Sequence, residues 1–217
     1  MNNQEVIKRT ITFVKQTLND ADGSHDWWHI YRVWKTTQSI LKTEKANSLT
    51  CELAALLHDI ADHKFNNGDE TIGAKKTKEF LSSLNINNEV IIEVVKIVEN
   101  ISFLGGYKKS DYYSHELAVV QDADRLDAIG AIGIARTFAY GGYKKREIYN
   151  PNIKPNLQMS KEEYKNSTAP TINHFYEKLL LLKDKMNTET GKKLAQKKHK
   201  FMEQFLEQFY KEWEGYK

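Results

Sequence analysis

The chain predicts an all-α fold, and three observations carry that prediction. Apolar residues recur at helical spacing in one segment after another, with no credible strand pair among them. The only prolines are Pro151, Pro155 and Pro170, so everything before Pro151 is free of that helix breaker. Turn formers gather in short clusters between the periodic segments, without an internal repeat or a low-complexity stretch. With 217 residues, 40% apolar and 28% charged, the chain is long enough to bury a large core. No linker divides it, so one domain over residues 1–217 is expected.

Val6, Ile7, Ile11, Val14 and Leu18 share one face of a first helix, Gln4 to Leu18. The run Asn19-Asp20-Ala21-Asp22-Gly23-Ser24 ends it, and Ser24 is the expected cap of a second helix, His25 to about Leu41, with Asp26 in its first turn. His25, Trp28, His29 and Arg32 form one stripe on that helix. Two imidazoles and a guanidinium are poor core material unless paired, so the stripe is expected to line a cleft. A third helix, about Ser48 to Asp62, is apolar through Leu53, Ala54, Leu56 and Leu57 and then delivers His58-Asp59.

Asp69 is expected to cap a helix reaching Leu84, and Asn87 to start another through Val90, Ile91, Val94, Val95 and Val98. That run is rich in β-branched residues, but its apolar side chains keep the helical period, while Glu93, Lys96 and Glu99 take the other side. Helix resumes near Ser114 and passes Asp122-Ala123-Asp124-Arg125-Leu126-Asp127 into a small-residue stretch, Ala128 to Ala135, which permits close backbone approach. Gly141-Gly142 stops it. Residues 143–166 read as a long surface loop, either a lid or a disordered segment. Two last helices are expected, Thr168 to Met186 and Glu189 to Trp213, with Leu194, Phe201, Phe205 and Phe209 as the core stripe of the final one; a dimer interface is the alternative for that stripe.

The formal charge of +3 comes from basic residues interleaved with acids, which argues against a nucleic-acid partner. A lone cysteine, Cys51, excludes an intrachain disulfide and fits a reducing compartment, and its apolar setting predicts an inert buried thiol. Met1-Asn2-Asn3-Gln4-Glu5 has no signal-peptide core, and no apolar run approaches the ~18 residues of a membrane span. A cytoplasmic protein without a membrane partner is the expectation.

The polar residues that stand out are His29, His58, Asp59 and Asp124. In the segments His29-Ile30-Tyr31-Arg32-Val33, Leu57-His58-Asp59 and Asp122-Ala123-Asp124-Arg125-Leu126, the chain resembles the HD-domain metal-dependent phosphohydrolases. The likeness runs from residue 25 to about 142 in the family's order. Ser24-His25-Asp26-Trp27-Trp28-His29 and the stretch Asp122 to Ala135 look like a small bacterial subgroup in which a nucleotide pyrophosphohydrolase activity is known. The resemblance implies an HD-domain helical bundle with additional C-terminal helices, its metal-site core at about 25–142 and a C-terminal helical part at about 167–215.

It also implies one divalent metal held by His29, His58, Asp59 and Asp124. Two imidazoles and two carboxylates leave room on a six-coordinate ion for water and a phosphate oxygen. That suits Mn2+ first, with Mg2+, Co2+, Ni2+ or Fe2+ as alternatives, ahead of a closed tetrahedral zinc site. Asp62 matches the position of an acid that steers or deprotonates the attacking water in related nucleotidases; the alternative is a residue that only supports a ligand histidine. Arg32, Lys64, Arg125 and Arg136 are candidate phosphate contacts, and His25 a candidate substrate contact. A second metal is not expected, because Gly106-Tyr107 and Gly142-Tyr143 are each followed by lysine rather than the proline of binuclear members.

The expected substrate is a nucleoside triphosphate, cleaved at the α-phosphorus to monophosphate and pyrophosphate. A guanosine-alarmone hydrolase or a 5′-nucleotidase is the alternative with the same chemistry. Alarmone hydrolases carry two consecutive acids after the doublet, where this chain has Asp62-His63. A non-catalytic nucleotide sensor or helical interaction module is the alternative from another class.

Overall fold

The structure is a computed structural model that describes residues 1–19, 26–60, 71–101 and 112–216. The described residues contain helices and no strand, as the periodicity predicts. They fall into two compact units, Met1–Asp124 and Arg125–Lys217, whose boundary lies inside a helix rather than in a linker.

In the first unit, α1 is Asn3–Thr17, α2 Trp27–Ile40, α3 Ser48–Leu57, α4 Ile72–Ser83, α5 Asn88–Asn100 and α6, which begins here, His115–Asp127. Helix α3 is the hub. Cys51 and the run Leu53 to Leu57 are fully buried, because α1, α2 and α5 surround it, while α4 lies on α5. From Leu53 to Leu57 the helix is apolar on every side, and each buried leucine contributes about 1.5–3 kcal/mol. Burial also pushes the Cys51 thiol well above its ordinary range, so it is inert as expected. Asn87 caps α5 by accepting from the Glu89 amide at 2.8 Å, and the β-branched run is helical as its period requires.

Two expectations about this unit are corrected. Asp26 caps α2, where its side chain accepts from the His29 amide at 3.0 Å and the helix begins at Trp27; Ser24, the expected cap, lies outside the described residues. Helix α3 stops at Leu57, five residues short of Asp62. His58 is its C-cap, and the His58 imidazole donates to the Ala55 carbonyl at 2.9 Å. The expected cap at Asp69 lies outside the described residues, and α4 starts at Ile72.

The second unit contains the end of α6, then α7 Gly130–Tyr143, α8 Lys161–Asn166, α9 Asn173–Glu177, a 3-10 helix Leu179–Lys185, and α10 Glu189–Trp213. The small-residue stretch does allow close approach: a Cβ on Gly133 would stand 2.2 Å from the Ala128 carbonyl oxygen. Gly141-Gly142 does not end the helix, which runs on to Tyr143.

Residues 143–166 differ from the expected lid or disordered loop. The carbonyls of Glu147 and Ile148 accept from the amides of Thr171 and Ile172 at 2.8 and 3.0 Å. The Tyr149 ring sits edge-on to Phe209, Tyr210 and Trp213. The helix expected over Thr168 to Met186 is broken at Lys178, whose φ of −145° is not helical. In α10 the buried line is Gly191, Ala195, His199, Met202 and Leu206, one position out of phase with the expected stripe, and Phe201 is 49% exposed.

Candidate metal centre

The site starts from how α2 is held to α3. Glu52 on α3 accepts from the Trp34 indole at 2.8 Å and from the Gln38 amide at 2.9 Å, both on α2. Ile30, Val33 and Ile40 of α2 are buried on the same side, so His29 is carried into the interior, where it is 4% exposed. Helix α6 is fixed by Glu116, which accepts from the Asn47 amide at 2.8 Å, and by Gln121, which donates to the Asn100 carbonyl at 3.1 Å. Asp124 follows Gln121 by three residues, so the same tether places it.

These elements bring four predicted residues together. The Nε2 atoms of His29 and His58 are 3.2 Å apart. His29 Nε2 lies 4.0 Å from an Asp59 oxygen and 3.5 Å from Asp124 Oδ1, and His58 Nε2 lies 3.9 Å from that same Asp124 oxygen. One donor atom each from His29, His58 and Asp59 falls within a mutual 4.8 Å, a grouping that could hold a metal ion. Both imidazole side chains are 5% exposed, while Asp59 and Asp124 are 20% and 31% exposed, so the cluster opens on its carboxylate side.

The donor set fits a divalent ion. A carbonyl can only accept, so the Ala55 contact places the proton of neutral His58 on Nδ1 and leaves the Nε2 lone pair facing the cluster. Lone pairs and carboxylate oxygens gathered at one point repel unless a cation joins them. For bonds of about 2.1 Å, adjacent ligands of a six-coordinate ion stand roughly 3.0 Å apart and opposite ones roughly 4.2 Å. The four measured separations lie in that interval. Adjacent His and Asp cannot share one helix face, and ending α3 at Leu57 puts both on the turn that follows it.

The remaining predicted residues are placed differently. Arg32 is half-buried on α2. In the second unit, Arg125 donates to the Lys185 carbonyl, and Arg136 pairs with the buried Asp127 carboxylate at 2.7 Å. Asp62, Lys64 and His25 lie outside the described residues, as does His63. Sequence reasoning missed Ala55, whose contribution is a backbone carbonyl; its only trace is its position three residues before His58 on a helix.

Residues 27–129 match the HD domain family. The chain belongs to the HD-superfamily hydrolases, and with these donors assembled it is a metal-dependent phosphohydrolase by class. The protein YpgQ of Bacillus subtilis is 36% identical over 205 residues, covering 94% of this chain and 92% of its own. The crystal structure of an HD-superfamily hydrolase from Bacillus thuringiensis is 46% identical, with a TM-score of 0.81 over 98% of this chain and 99% of that one. The crystal structure of Bacillus subtilis YpgQ in complex with ADP has a TM-score of 0.77 at 34% identity, over 98% and 97% of the two chains.

Proposed function

We propose that this chain hydrolyses nucleoside triphosphates at the α-phosphorus, releasing a monophosphate and pyrophosphate, with a single divalent ion, Mn2+ first, held by His29, His58, Asp59 and Asp124. The observation that carries this reading is the convergence of two imidazole nitrogens and two carboxylates in a cluster that opens on one side. A nucleotide is favoured because YpgQ, 34% identical, was crystallised in complex with ADP. The ion supplies Lewis-acid polarisation of a phosphoryl oxygen and a lower pKa for water.

The chain's own residues do the rest. His58 holds its tautomer through Ala55 and so orients the site without reorganisation. A water oxygen bonds to the α-phosphorus as the bond from that phosphorus to the bridging oxygen breaks. One proton leaves the water for a carboxylate, a role we assign to Asp62. Arg32 and Lys64 neutralise the phosphate chain, with His25 as a further contact, while Arg125 and Arg136 are engaged within the second unit. The lone buried thiol and the lack, among the described residues, of a helix long and apolar enough to cross a membrane support work in the cytoplasm.

The test is a panel of nucleoside mono-, di- and triphosphates with each divalent metal and identification of the products. Pyrophosphate release from triphosphates is expected. Orthophosphate as the product, or no turnover with any metal, contradicts the reading.

A further inference from the structure

We infer that the exposed indole of Trp28 is the platform on which the substrate's base stacks, a subsite of the proposed nucleotide reaction. The inference rests on that reading for its ligand and on three features of α2 for its place. Trp28 is 60% exposed although it directly precedes the buried ligand His29. A large indole left in water forgoes the stabilisation that burial provides, so core packing does not account for it.

The second feature is its support. Trp28 stands edge-on to Tyr31, with centroids 5.9 Å apart and an interplanar angle of 81°. Tyr31 is braced in turn by Trp27 at 6.0 Å and Trp34 at 6.2 Å, and Trp34 is fixed by its hydrogen bond to Glu52. Trp28 thus leans on Tyr31, which two further rings brace, and this limits the entropy lost when a ligand settles on it.

The third feature is order around the helix. At about 100° per residue, Arg32 falls between the other two, roughly 60° from His29 and roughly 40° from Trp28. The α2 surface therefore presents metal ligand, cation and aromatic ring in succession. A nucleotide presents phosphate, sugar and base in the same succession. Every base has a π-face, so such a platform binds without selecting among bases.

The experiment uses the full chain with Mn2+ and α,β-methylene analogues of the four nucleoside triphosphates, which bind but cannot release pyrophosphate. Calorimetry of wild type, Trp28→Ala and Trp28→Phe gives the affinities, with inorganic tripolyphosphate as the base-free control. Trp28→Ala is expected to weaken all four analogues by roughly 5- to 150-fold, with tripolyphosphate unchanged and Trp28→Phe close to wild type. Wild-type affinity in Trp28→Ala overturns the inference, as does an equal loss for tripolyphosphate. Trp28→Met, apolar but without a π-face, gives the same reading if the Ala variant loses its helical signal. Analogue binding by wild type without pyrophosphate release from natural triphosphates sinks the reaction and leaves the platform standing. No binding to wild type removes both.

Discussion

His58 donates its Nδ1 proton to the Ala55 carbonyl 2.9 Å away, and that contact turns its Nε2 toward Nε2 of His29. The acceptor is Ala55, itself fully buried on α3, so the ring's orientation is a property of the fold and precedes any metal. Long-range 15N–1H spectra of metal-free protein at neutral pH should show His58 as the Nδ1-protonated tautomer. An Nε2-protonated ring would contradict this account of the site.

Arg136 separates structure from substrate binding. Its guanidinium reaches the Asp127 carboxylate at 2.7 Å, and Asp127 is 3% exposed at the side chain against 33% for Arg136. Removing a partner from a buried carboxylate costs about 1–3 kcal/mol when one side of the pair stays wet. Arg136→Ala should therefore lower the urea midpoint. A phosphate contact predicts a raised KM with unchanged stability instead, which is the result expected for Arg32→Ala. Denaturation and kinetics on both variants decide each role.

His174 sets an acid limit for the second unit. Burial, with help from the nearby Lys178 and Arg146 charges, lowers its pKa from 6.5 to about 3. Above pH 6.5 the ring is neutral in both folded and unfolded chains and contributes no slope. As pH falls from 6.5 toward 3, the unfolded chain takes up a proton that the folded chain refuses, so stability drops by at most about 1.4 kcal/mol per pH unit. His174→Gln should remove that part of the slope, leaving the variant up to about 2 kcal/mol ahead of wild type at pH 5 relative to pH 7. Parallel slopes in urea titrations at the two pH values would show that the ring is not buried as neutral.

Much of the site was legible because its donors are side chains in ordered segments. His29, His58, Asp59 and Asp124 each sit on or beside a strongly periodic helix, so the pattern carried them. What failed was phase and termination. Ser24 and Asp26 are both good caps two residues apart, and composition cannot say which one meets the His29 amide. The helix through Leu57 stops short of Asp62 with His58 as its C-cap, a boundary that no propensity scale records. On α10 the buried side lies one position out of register with the line of large aromatics. The buried side is built of Gly191, Ala195, Met202 and Leu206, with Phe205 and Phe209 on its shoulder. The segment 143–166 looked loose because its anchors are backbone carbonyls and a single tyrosine.

Asp62 has two assignable roles, and they give different numbers. A residue that orients or deprotonates water predicts that Asp62→Asn keeps its metal and loses roughly 10²–10⁴ in kcat. A residue that supports a ligand histidine predicts metal affinity lower by about 10–100-fold, with activity restored by excess metal. The first outcome is expected. Metal titration of the variant tells them apart, and full activity at ordinary metal concentration would remove Asp62 from the mechanism.

The central claim is that His29, His58, Asp59 and Asp124 hold one divalent ion. Elemental analysis of Mn2+-supplemented protein, paired with anomalous scattering from its crystals, tests that claim most directly. The account predicts one ion per chain, with the anomalous peak enclosed by the two Nε2 atoms and the two carboxylates. A site still empty after supplementation, or a peak ligated by other residues, would contradict it.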